Sequence, residues 1–358
     1  MMPWVMILGV SVTIVVGGVI TFVTHRAEVP DVGDVEAQIA QDVALCRTST
    51  IDEWNAWSNG ELQGIDAGYE EYLSSFESAE AMADDQCNPM YFQGYFEDPR
   101  FCLVSLYEPT VTWRQACPDL DTGEVAEYIE GTFTIDGRTY RSVAPIPGGI
   151  VPSTGLFLFV IAAVLGASFI GAEYKSGTIE TTLLWEPRRV RVLGSKVVAA
   201  SVSAFAIHVA LLGLLVLAML PAAQWRGSTA GADADFWFGV AGVILRGGVA
   251  AAATAAIALS VSVLTRNTVG GVAVILGYTA IASPLLTMVL LRGLRPFDLN
   301  ENLVAFATGG EVGRFVRADG ELISVYAHGV TGAAIAVAVY VAVAVTIAAL
   351  VFRRRDID

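Results

Sequence analysis

The chain has 358 residues, of which 54% are apolar and only 16% charged, with a formal net charge of −15. A soluble protein carries about 25% charged residues, and here the charge is segregated between long apolar runs, so an ordinary water-soluble domain is excluded and a membrane protein indicated. An acidic chain also lacks the basic footprint that nucleic acid requires, and no nucleic-acid partner is expected.

In chain order, the first apolar run is Trp4–Val23. No Lys or Arg precedes it, no A-x-A site follows, and it exceeds the apolar core of a signal peptide, so it is read as a retained helix. Residues 24–150 contain 24 acidic residues, six arginines and no lysine. A segment of that length has structure of its own. Asp34 to Asp85 is rich in helix formers and lacks proline, which predicts two helices broken near Ser58-Asn59-Gly60. Residues 88–120 mix prolines and aromatics and predict a compact, irregular part. GTFTIDGRTYRSV (131–143) alternates around Asp136-Gly137 and predicts a hairpin. All four cysteines, Cys46, Cys87, Cys102 and Cys117, fall within this segment. They read as two disulfides in one of three connectivities, with four buried free thiols as the alternative. No carboxylate in the segment pairs with a His, Cys or Lys at catalytic or metal spacing, so neither a catalytic nor a metal site is expected.

The second run, Val151–Ala172, is followed by GAEYKSGTIETTLLWEPRRVR (171–191). Ser176-Gly177-Thr178 reads as a turn, with Thr178 as N-cap and Glu180 in the first helical turn. Ile179, Leu183, Leu184 and Trp185 make a short amphipathic helix of about two turns. Glu186-Pro187 ends it, and the same proline suits the start of a basic helix through Arg188, Arg189, Arg191 and Lys196.

The remaining runs are Val197–Leu220, Trp237–Leu264, Val269–Leu291 and Val330–Phe352. None of the six runs contains Asp or Glu, which argues against proton- or sodium-coupled transport and against an intramembrane enzyme. His208 and Arg246 are the ionisable groups within the runs. His208 is expected to hydrogen-bond between helices rather than to bind cargo. Arg246 is expected to snorkel at the outer interface. Pro284 can break the fifth run, and GGVAAAATAA (247–256) permits close helix contact. The fold class is therefore an all-α polytopic membrane protein with six spans and a mixed, disulfide-stapled domain between the first and second.

Topology is set by the cations. Lys175, Lys196, Arg188, Arg189 and Arg191 flank the second linker, Arg266 lies in the next loop on that side, and Arg353, Arg354 and Arg355 follow the last span. Both termini are then cytoplasmic, with 1–23 spanning, 24–150 extracytoplasmic, 151–172 spanning, 173–196 a cytoplasmic linker, 197–352 four further spans and 353–358 a basic tail. Arg292 and Arg295 oppose this assignment, because they fall outside and near a span.

GASFIGAEYKSGTIETTLLWEPRRVRVLGSK (166–196) resembles the second-span exit and cytoplasmic loop of ABC-2 type transporter permeases, especially actinobacterial ones. Glu173, Gly177, Thr178, Leu183, Pro187, Arg188 and Lys196 match that pattern, and FRRRDID (352–358) is similar to the family's basic-Asp tail. The resemblance implies a plasma-membrane permease that exports a substrate. The helix at 178–186 would couple it to a separate ATPase subunit through Glu173, Glu186, Arg188 and Arg189, with Leu183, Leu184 and Trp185 as the apolar contact. Two permease copies would pair, as a homo- or heterodimer. ATP and Mg would be bound by the ATPase and no cofactor by this chain, which has no G-x-x-x-x-G-K-[ST] loop. The other reading is a membrane-anchored sensor or assembly protein whose external domain binds a ligand.

Overall fold

Each of the apolar runs folds as helix over its described residues, and five of these helices are long and apolar enough to cross a membrane. The computed structural model describes residues 2–27, 32–62, 67–87, 100–107, 132–135, 138–141, 149–185, 188–285, 292–318 and 321–354. The five are α1 (Met2–Thr24), α5 (Ile150–Ser176), α7 (Arg189–Arg226), α8 (Ala234–Thr265) and α11 (Val330–Arg354). Most extend beyond the apolar runs. At 38 residues, α7 is about 57 Å long against a hydrocarbon core of about 30 Å, so its basic first turn and its last turn both project beyond the core.

The fifth run behaves differently. It begins as α9 (Thr268–Gly277), widens into a π-type turn at Tyr278–Ala282 and stays helical to Leu285, while 286–291 lie outside the described residues. A π-type turn marks a local interruption of the helical ladder, here just before Pro284. A 3-10 turn, Arg292–Phe297, then leads into a short helix, α10 (Leu299–Thr308). This helix folds back against α8 and α11 rather than leaving the bundle.

At the centre lies α8, in contact with α5, α7, α9, α10 and α11. Small residues allow this. Ala250, Ala251, Ala255 and Ala256 are buried, and a side chain on Gly166 of α5 would run into the backbone of Ala255. Without a hydrophobic driving force between helices in lipid, such backbone approach supplies the packing. By contrast α1 is peripheral, with Gly18 against Ala218 of α7 and most of its surface exposed.

Between α1 and α5, helices α2 (Val32–Ser58), α3 (Ala67–Ser74) and α4 (Ala79–Gln86) replace the two helices expected. The extra break falls before Ser78, whose hydroxyl caps α4 by accepting from the Ala81 amide at 3.1 Å. A disulfide joins Cys46 to Cys87. Cys102 is disulfide-bonded as well, and Cys117 lies outside the described residues. The expected hairpin is present as β2 (Thr132–Ile135) and β3 (Arg138–Arg141), with Phe133 opposite Tyr140.

Nothing in the sequence pattern foretold how this segment meets the bundle. Phe101–Cys102 (β1) pairs in parallel with Gly227–Ser228 (β4) after α7, and Phe101, Leu103, Val104 and Leu106 join the same apolar cluster as Leu212, Met219 and Phe236. A second hairpin, β5 (Val312–Ala318) with β6 (Glu321–His328), precedes α11. Arg141 of β3 pairs with Glu311 and lies over the Tyr326 ring, so the two hairpins are fastened together.

Candidate functional site

At the opposite end of the bundle, Gly177 closes α5 in the left-handed conformation (φ 69°, ψ 3°), which favours glycine. The next helix, α6 (Thr178–Trp185), starts at once. Thr178 is thus the first helical residue rather than the N-cap expected, because the left-handed Gly177 occupies the junction. The Thr178 hydroxyl instead lies 2.9 Å from that of Ser176. Glu186, Pro187 and the side chains of Glu180 and Leu183 lie outside the described residues. Arg188 then precedes α7, and Arg189 opens it.

Two contacts fix this linker to the bundle. Lys196 Nζ of α7 bonds Glu173 Oε1 of α5 at 2.5 Å, with side chains 16% and 27% exposed. Ile179 is 2% exposed, in a cluster with Ile170, Leu193, Leu259, Val263 and Phe352. The apolar residues of α6 therefore do not share one environment. Ile179 anchors the helix inward, whereas Leu184 and Trp185 stand 84% and 87% exposed. A leucine and a tryptophan side by side in that state form an apolar projection on a helix whose base is held rigidly.

His208 does not make the interhelical hydrogen bond expected of it. It is buried on α7, stacked on Phe159 of α5 at 5.8 Å, and neither ring nitrogen has a partner. The ring occupies space left by Gly155 and Gly247, too close for a side chain on Gly247. It acts as a flat wedge between helices. Arg246 lies well inside α8, and its Nε is buried without a partner. The guanidinium reaches Gly309, where α10 ends in the left-handed conformation. A cation at that position complements the partial negative charge of the helix C-terminus.

The carboxylate that the spans lack comes from the segment after α9. Asp298 is buried and caps α10, accepting from the Glu301 amide at 2.9 Å, from Tyr278 Oη at 2.5 Å and from Ser283 Oγ at 2.9 Å. It thereby bonds both the π-type turn and the residue beside Pro284. Asn302, one turn on, donates to the Pro296 and Asp298 carbonyls, and its Oδ1 lies 2.8 Å from His328 Nε2. Tyr340 of α11 donates to the Phe297 carbonyl. The sequence held one signal for this network: Asp298-x-x-Glu301 ahead of the apolar Leu303–Ala307 is a capping-box pattern. Beside it, a largely apolar cavity of about 280 Å³ opens between α5, α8, α9 and α10, lined by Phe159, Thr254, Tyr278, Thr279 and Leu303 among others. Among the described residues no cluster of His, Cys, Asp and Glu is arranged to hold a metal ion.

Five membrane-length helices, a short apolar sixth and a rigid linker helix with an apolar projection define a multi-pass helical membrane protein. A family model described as ABC-2 family transporter protein matches residues 4–357. The chain belongs to that family, as the linker resemblance implied. Its members are transmembrane subunits, generally not catalytic themselves, that work with a separate ABC-type ATPase. No curated protein and no solved structure matches significantly.

Proposed function

We propose that the chain is the permease subunit of an ATP-driven exporter and that α6 is its coupling helix. The termini and the linker face the cytoplasm, residues 24–150 lie outside, and two permease copies pair above two ATPases that hold ATP and Mg. The observation that carries this reading is the division within α6, where Ile179 is buried and Leu184 and Trp185 are exposed beyond an ion pair that joins α5 to α7. A topological loop needs the cations alone. A docking helix needs an apolar contact and a stiff connection to the helices it moves, and this linker has both.

Closure of the ATPases on ATP would displace α6. Because Gly177 links it directly to α5, and Glu173 and Lys196 bind α5 to α7, the two helices would tilt together against α8. Co-expression with the ATPase tests the reading. The Leu184→Asp/Trp185→Ala variant, whose changed side chains are exposed, is expected to remain monodisperse and to lose the ATPase on purification. Arg188→Glu is expected to weaken the same capture. Retention of the ATPase by the double variant, with unaltered stimulation of ATP turnover, would sink the proposal.

A further inference from the structure

At the other end of the bundle a groove of about 650 Å³ runs from the β5–β6 hairpin down the outer face of α11. Its mouth carries Arg314, Tyr326 and His328, and its wall is apolar, formed by Ile335, Ala336 and Val339. Pro296 and Phe297 close its lower end, where Tyr340 donates to the Phe297 carbonyl. From Gly332 to Val339 the wall is about 10 Å long, starting in the first turn of a spanning helix and descending toward the hydrocarbon.

The charge of this groove is one-sided. Arg314 is exposed, and no carboxylate lines the site among the described residues. Two nearby acids among the described residues are engaged elsewhere: Glu311 pairs with Arg141, and Glu301 pairs with Arg295 at 3.1 Å. Tyrosine and arginine at the level where a span leaves the bilayer are the groups that meet lipid headgroups, and an arginine fork matches a phosphodiester. A cation above an apolar channel that points into the membrane fits a molecule with an anionic head and a hydrocarbon tail.

We infer that this groove is a binding site for one anionic phospholipid, with its phosphate at Arg314 and part of an acyl chain along Ile335, Ala336 and Val339. The site is distinct from the linker and independent of any ATPase. Occupancy would brace the hairpin against α11, and through Asn302 and His328 it would brace α10.

The test uses the full chain, delipidated in detergent and titrated with dioleoyl-phosphatidylglycerol or dioleoyl-phosphatidylcholine, with bound lipid counted by native mass spectrometry. The wild-type chain is expected to retain one phosphatidylglycerol about tenfold more tightly than phosphatidylcholine, whose phosphate brings a choline cation that Arg314 repels. Arg314→Gln is expected to erase that preference, and Ala336→Phe to reduce both lipids. Val202→Phe, exposed on α7 and not part of the groove, should change neither. Equal retention of the two lipids by the wild type, or an unchanged preference in Arg314→Gln, overturns the inference. So does displacement of the lipid by excess inorganic phosphate, which would make this a phosphate site. Should Ala336→Phe not be monodisperse, the Arg314 comparison decides alone.

Discussion

Lys196 neutralises a carboxylate, Glu173, whose second oxygen is already buried without a partner. Replacing the lysine therefore leaves a poorly solvated anion, and Lys196→Met is expected to cost about 1–3 kcal/mol. Thermal unfolding in detergent measures this, and Glu173→Gln added to Lys196→Met should restore part of the loss, since the charge left unpaired is then gone. Asp298 accepts three bonds in the α9–α10 region: an N-cap and two hydroxyl donors. Asp298→Ala removes all three and deprives the buried Ser283 hydroxyl and the half-buried Tyr278 hydroxyl of this acceptor, at about 2–4 kcal/mol. Asp298→Asn keeps an acceptor oxygen and should fall between. His328, on the hairpin, has its pKa held below the ordinary histidine value by burial. The folded state thus favours the neutral ring. Its contribution is complete above about pH 6.5 and declines as pH falls below that value. Protection factors of the β5–β6 amides against hydrogen exchange should fall as pH is lowered from 7.5 to 5, and His328→Gln should flatten that fall.

Among elements, the α5–α8 contact depends on absent side chains. A Cβ on Gly166 would fall on the backbone of Ala255, and one on Gly171 would meet Thr268 of α9, whereas Gly9 of α1 faces open space. Gly166→Val is expected to abolish the monodisperse species in size-exclusion chromatography, while Gly9→Val leaves it intact. These elements differ in how legible they are in the sequence. The spans can be read because apolar length is a local property, and the start of the linker helix because the Gly177-Thr178 junction acts within a few residues. The small residues of α8 announce close packing but not the partner, which only the fold supplies. Neither α10 nor the hairpin after it is legible in the same way. Ten residues of helix and two strands are short, and their burial against α8 and α11 is tertiary. The Asp298 network escapes for the same reason, since its members Tyr278, Ser283, Asp298 and Asn302 meet only when α10 folds back. Arg246 and His208 stand out as ionisable, but the helix terminus and the glycine gaps that receive them are distant in sequence.

Across the whole molecule the helices alternate in direction, so charge accumulates differently at the two ends. Ile179, Leu193, Val263 and Phe352 share one cluster, placing α6, the start of α7, the end of α8 and the end of α11 together. At the other end Phe101 meets the end of α7, while His25, just after α1, lies against Phe101 and accepts from Arg226 through its carbonyl. One residue that opposed the proposed orientation loses part of its weight here, because Arg295 pairs with Glu301 and stacks over Phe315 instead of standing as a free interfacial cation. Sidedness can then be tested with introduced thiols, read against the wild-type chain, whose described cysteines are all disulfide-bonded. Asn59→Cys, beside the turn after α2, and Ser176→Cys, at the end of α5, both place a thiol on an exposed position. In intact cells a membrane-impermeant maleimide should label Asn59→Cys and reach Ser176→Cys only after permeabilisation. The reverse pattern would put α6 outside, where no ATP-hydrolysing subunit could meet Leu184 and Trp185. The coupling role would then fail, while the groove beside Arg314 would keep its chemistry in the opposite leaflet.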